Sequence, residues 1–158
     1  MNRFRQKPSK EQAIQKIKHY CGYQERCHQE VREKLFSLGV WRNEVDEIIS
    51  LLIEENYINE ERYAKQFAGS KFRMKKWGFV KIKYELKQKK ISDYCIKKAL
   101  AEINVNDYEL AFKKLAIEKW ASLRGEKNIF IKKRKLNDYL LQKGFETDLI
   151  REFMNSTS

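Results

Sequence analysis

The chain has 158 residues, with 34 lysines and arginines against 22 aspartates and glutamates, for a net charge of +12. Six glycines and one proline are too few to punctuate a turn-rich sandwich or barrel, which needs such residues roughly every ten positions. An apolar content of 42% is too high for a charged disordered chain, so composition predicts a folded, helix-rich, strongly basic protein.

Residues 1–10 carry Arg3, Arg5, Lys7 and Lys10 and read as a basic flexible tail. No apolar run follows them, so they are not a secretory signal. The first helical segment is expected over Glu11–Tyr23. Around its end stand His19, Cys21, Cys27 and His28. Their spacing matches no standard zinc pattern, and C-x-x-C is absent, so Cys21 and Cys27 read as ordinary thiols and no metal or cofactor is expected. With Cys95 the cysteine count is three, odd and low, as suits a reducing cytosol rather than a disulfide framework.

From Val31 the chain repeats itself. Val31, Leu35, Val40, Val45 and Ile49 are spaced by 4, 5, 5 and 4. The same spacings recur at Ile82, Leu86, Ile91, Ile96 and Leu100, and again at Leu136, Leu140, Phe145, Ile150 and Met154. Gly39 and Gly144 occupy one repeat position, where a glycine reads as the residue just past a helix end, and the second copy has Lys90 there. Each copy is thus helix, tight turn, helix. A further helix precedes each pair: Glu11–Tyr23, Glu60–Arg73 and Asp107–Leu123. Tyr63, Ala64 and Phe67 mark the inner face of the second, and Leu110, Ala111, Leu115 and Trp120 that of the third. Asn59 and Asn106 read as N-caps, the latter completing a capping box with Glu109. Val80, Ile82, Tyr84 and Leu86 alternate with Lys81, Lys83, Glu85 and Lys87, which is the template of a half-buried strand. The equivalent segments 30–38 and 135–143 do not alternate, so the repeat predicts a helix. The expected fold is all-α: three tandem three-helix repeats, 11–57, 58–105 and 106–158, in an elongated, curved arrangement.

Charge is segregated along the chain. Residues 71–90 hold nine bases against Glu85 alone, a local +8. A second cluster, Lys132, Lys133, Arg134 and Lys135, opens the matching helix of the third repeat. Residues 44–62 carry seven acids against Arg62. Two basic clusters at related positions suggest one stripe facing phosphates, with Lys83, Lys87 and Lys90 on one helical face opposite Ile82 and Leu86. Among the interleaved rings, Phe72 and Phe79 read as core and Trp77 as a surface ring able to stack on a base. The candidate binding residues are Lys71, Arg73, Lys75, Lys76, Lys81, Lys83, Lys87, Lys90, Lys132, Lys133, Arg134 and Lys135. Nothing in them reads base sequence. No nucleophile motif or glycine-rich phosphate loop is present, so no enzyme is expected. No run of about 18 apolar residues suggests a membrane span.

The run Tyr57-Ile58-Asn59-Glu60-Glu61-Arg62-Tyr63-Ala64, followed by Phe67 and Ser70-Lys71, resembles the signature of the RecX family. Gly78, Ile82, Glu85-Leu86, Lys89, Ile91, Ile96 and Ala99-Leu100 match that family's next segment, and Glu30, Lys34-Leu35 and Gly39 resemble its first-repeat helix. The chain departs from it with Phe79 in place of a proline and Lys90 in place of a glycine. The resemblance implies a cytoplasmic modulator of RecA that binds the groove of the RecA–single-stranded DNA filament and limits its growth; a monomer is expected. A stand-alone DNA-binding protein of helix-turn-helix type is the alternative.

Overall fold

The computed structural model describes residues 7–156. Residues 1–6 of the expected tail lie outside the described residues. The described chain is all-α, with no strand among the described residues. In order the helices are α1 (Lys10–Tyr23), α2 (His28–Ser37), α3 (Arg42–Glu54), α4 (Glu60–Ser70), α5 (Phe79–Gln88), α6 (Asp93–Ala101), α7 (Val105–Ser122), α8 (Ile129–Lys143) and α9 (Thr147–Ser156). One turn of π-helix, Lys71–Lys75, extends α4. The alternating segment at Val80–Leu86 is helical, as the repeat predicted.

The spacing 4-5-5-4 has a concrete origin. Its first five spans a turn with two hydrogen bonds that recurs in all three copies. The amides of Val40, Ile91 and Phe145 donate to the carbonyls of Leu35, Leu86 and Leu140. The residue before each, Gly39, Lys90 or Gly144, donates to Phe36, Lys87 or Leu141 and takes a left-handed φ of 84°, 64° or 93°. This is the Schellman closure of a helix. The second five opens the next helix, where Val45, Ile96 and Ile150 donate to Trp41, Ser92 and Glu146. The apolar residues flanking both turns therefore point to one side. Thirteen of the fifteen repeat positions are buried, with Leu100 and Met154 partly so.

Three repeats do not make three cores. Ala13 to Ile58 build one apolar cluster. The second and third repeats share a single larger one that runs from Tyr63 to Ile150 and includes Cys27. At their junction backbone meets backbone. The Gly78 amide donates to the Lys143 carbonyl at 2.8 Å, and the Val80 amide to the Gly144 carbonyl at 2.9 Å. Between them the Phe79 amide donates to the Tyr108 hydroxyl at 3.0 Å, and that hydroxyl donates to Glu146 Oε1 at 2.6 Å. The Phe79 ring stacks on Tyr108 at 3.8 Å. Rings continue inward through Phe145 and Phe112 to Phe153. The exposed surface of 11,088 Å² exceeds the roughly 8,400 Å² expected for a compact 19.1 kDa monomer, consistent with an elongated tandem array.

Four local expectations are corrected. The cap of α7 is Asn104, whose side chain accepts from the Asp107 amide, so the helix opens at Val105 and Asn106 lies within its first turn. The inner face of α7 is Tyr108, Phe112 and Ala116, while Leu110 is exposed and Leu115 and Trp120 are half-buried. The α-helix expected as far as Arg73 stops at Ser70 and continues as the π turn. Phe79 is half-buried rather than core, because it lies flat on Tyr108 at the edge of the junction. Asn59 caps α4 as expected, accepting from the Arg62 amide.

Two substitutions probe this framework. Lys90→Gly removes a left-handed penalty of about 1 kcal/mol and is expected to raise Tm by roughly 2–4 °C in a thermal melt. A Cβ at Gly78 would run into the Gly144 carbonyl oxygen and lie 2.6 Å from the Phe145 amide nitrogen, whereas one at Gly125 meets nothing. Gly78→Ala is therefore expected to cost about 3 kcal/mol in urea unfolding, with Gly125→Ala within about 0.5 kcal/mol of the parent.

Candidate nucleic-acid interface

The α8 helix links the two basic clusters. Lys132 to Lys135 lie in its first turns and Lys143 at its end, about 16 Å further along. The junction brings that end to the π turn: the Lys143 ammonium donates to the Lys75 carbonyl at 3.2 Å and that of Lys81 to the Gln142 carbonyl at 3.5 Å.

Along this side, cations and rings alternate. Lys132 lies 4.0 Å over Trp120, and Lys119 5.0 Å over Tyr139. Lys143 stands 6.0 Å from the same tyrosine. Across the junction, Trp77 has Lys81 at 4.7 Å and Lys71 at 5.1 Å, and Phe67 has Lys71 at 5.5 Å and Lys89 at 5.9 Å. The four rings are partly buried against the shared core, and Phe67 also meets Trp77 edge-on at 6.2 Å. An ammonium over a ring gains about 0.5–1 kcal/mol at such sites and keeps protons free for a phosphate. Cations for a backbone beside π-faces for bases are what single strands bind without sequence preference.

The twelve expected residues do not form one stripe. Lys71, Lys81 and Lys132 belong to the row. Lys83 is about 200° round α5 from Lys81 and shares the other face with Lys87, whereas Lys90 lies past the helix end in the left-handed turn. Lys87 pairs with Asp93 at 3.6 Å and Lys135 with Glu126 at 3.3 Å. Arg73, Lys75, Lys76 and Arg134 are exposed, and Lys133 half-buried. The Arg73 guanidinium lies close over Gly69. Trp77 is half-buried rather than a free surface ring. Lys89, Lys119, Trp120, Tyr139 and Lys143 join the candidate row without having been expected there. The spacing of Lys132, Tyr139 and Lys143 by seven and four, one face of a helix, was the available signal.

The row ends at a carboxylate. Glu30 of α2 lies 3.7 Å from Lys89 and 3.9 Å from Arg26, and its Oε1 accepts from the Tyr63 hydroxyl at 3.0 Å and the Cys27 thiol at 3.3 Å. Burial, and then the Glu30 charge, push the Tyr63 phenol well above its usual range, so it stays a donor. Burial likewise raises the Cys27 thiol and lifts that of Cys21 to about 11. Glu30 thereby ties the first repeat to the second.

Known proteins resemble this chain in sequence and in fold. The family model described as RecX, second three-helix domain, matches residues 59–100, and that of the RecX third three-helix domain matches 107–154. The regulatory protein RecX of Prosthecochloris aestuarii is 30% identical over 138 residues, covering 86% of this chain and 87% of its own. The chain belongs to the RecX family. The RecX of Bacillus cytotoxicus is 32% identical over 133 residues, but the chain spans only 48% of its length. A crystal structure of RecX from Lactobacillus salivarius is 28% identical with a TM-score of 0.81, covering 93% of this chain and 95% of that one. A second crystal structure, of a regulatory protein RecX, has a TM-score of 0.83 at 22% identity over 92% of this chain and 71% of its own, and shows the shared fold.

Glu30→Ala strips four groups of an acceptor or counter-charge. It is expected to lower stability by about 2 kcal/mol in urea unfolding, with Tyr63→Phe costing less.

Proposed function

We propose that this RecX-family chain restrains RecA by lying in the groove of the RecA–single-stranded DNA filament and limiting its growth. The observation that carries this reading is the row of lysines and rings along the second and third repeats, on a body that exposes more surface than a compact monomer. An elongated body suits a groove, and a row of cations suits a filament containing DNA. The clustered acids of residues 44–62 argue against a protein that simply coats DNA. The candidate residues Arg73, Lys75, Lys76, Lys133 and Arg134 act as outer charges around the row, and Lys83 and Lys90 stand apart from it. The same proposal takes 11–57, 58–105 and 106–158 as the repeat units. It treats the protein as a monomeric, non-enzymatic regulator of the cytoplasm, and no described helix is long and apolar enough to cross a membrane.

The test is RecA-catalysed ATP hydrolysis on single-stranded DNA with rising amounts of the protein, alongside co-sedimentation with RecA filaments. Inhibition and filament shortening are expected. Charge reversal at Lys75, Lys76 and Lys81 together is expected to weaken co-sedimentation at least tenfold, roughly the 1.4 kcal/mol or more that several lost phosphate contacts carry. No inhibition and no shortening would overturn the reading. Tight, sequence-selective duplex binding without RecA would replace it with the helix-turn-helix alternative.

A further inference from the structure

The first repeat holds a groove that neither the row nor the basic clusters account for. It lies between α1 and α2, measures about 810 Å³, and has no carboxylate among its lining residues. Its volume falls in the range of roughly 300–1,000 Å³ that takes a small ligand. Lys16 and Lys34 line it from the two helices, and neither has an ion-pair partner among the described residues. Tyr20 is already covered: the Arg26 guanidinium lies 3.7 Å over its ring and the Lys34 ammonium 5.5 Å from it. Arg26 is held there because its Nε donates to the Tyr20 carbonyl at 3.1 Å while Glu30 faces it from behind. Tyr23, at the end of α1, is 79% exposed, and no ring or cation stacks on it among the described residues. Gln15 adds an exposed amide on the same lining.

A free tyrosine face, two lysines free of carboxylates and an amide make a recognisable set. Lysines supply the contact to a phosphate, an open ring supplies stacking on a base, and an amide can meet a base edge in either sense. An acidic peptide would use the lysines but leave the Tyr23 ring without a role. We infer that this groove is a contact site for one or two nucleotides of a single strand, with phosphate on Lys16 and Lys34 and a base on Tyr23. The site is separate from the row and does not require RecA. Glu30 links them, since it holds Arg26 at the groove and Lys89 at the end of the row.

The experiment uses the full chain alone with a fluorescent oligo-dT, following anisotropy over a range of salt concentrations. Lys16→Ala/Lys34→Ala is expected to reduce the steepness of the log–log salt dependence by about 1.4, the amount for two phosphate contacts on a single strand. Tyr23→Ala is expected to weaken binding about tenfold at every salt concentration. An iodouracil-bearing oligonucleotide is expected to cross-link to the segment holding Tyr20 and Tyr23. All three substituted side chains are exposed or half-buried, so the melting temperature serves as the folding control. Unchanged affinity and slope in both variants would overturn the inference. So would a polyglutamate peptide that protects Lys16 and Lys34 from acylation where oligo-dT does not. The RecA hydrolysis assay reads the filament reading independently of either result.

Discussion

The first amides of a helix have no partner within it, and the start of α5 is the place where that matters most here. Gly78 has no side chain to cap with, and Phe79 and Val80 cannot cap themselves. Their three amides are taken instead by the third repeat: by the Lys143 carbonyl, the Tyr108 hydroxyl and the Gly144 carbonyl. The end of α8 has the complementary need, since its last carbonyls lack donors and carry the negative end of its dipole. Two incomplete helix ends therefore complete each other. They can approach so closely only because both contact residues are glycines; a Cβ at Gly144 would lie 2.7 Å from the Lys81 amide nitrogen.

That joint accounts for one of the two departures from the family pattern, Phe79. A proline at position 79 would present no amide. The phenylalanine found there keeps the amide for Tyr108 and adds a ring stacked on the same side chain. Tyr108 can serve both neighbours because burial, and then its bond to Glu146, push its phenol far above the usual range, so the hydroxyl keeps its proton for the carboxylate. Lys90 is the other departure. It carries a left-handed backbone where the other two repeats place glycine.

The same joint sets the geometry of the candidate interface. Lys143 reaches the π turn because its carbonyl is bound to Gly78, and Lys81 reaches Trp77 and Gln142 because α5 is seated on α8. Cations from two repeats thus stand along one row without each needing an acidic partner. Exposed pairs such as Lys87 with Asp93 add little stability. The lysines of the row rest on rings instead, which leaves their charge available to an anion.

Much of this fold was legible from residue order. The 4-5-5-4 spacing is a local property: four follows from the helix turn, and five from the residues needed to close one helix and open the next. Apolar positions and the two left-handed glycines therefore announced the repeat, and even the alternating stretch at Val80 could be assigned to helix by comparison with its copies. The candidate binding residues were legible only as clusters of charge. Which lysines share a face depends on α5 seating on α8, and that contact spans about sixty residues of chain through backbone atoms that every residue possesses. No pattern of side chains records it. The sequence determined the helices, their turns and their net charge, because those depend on near neighbours. Only the tertiary structure decided that two repeats share one core, that Lys143 and Tyr139 belong with Trp77, and that Lys83 does not, because those facts rest on distant helix ends satisfying one another's hydrogen bonds.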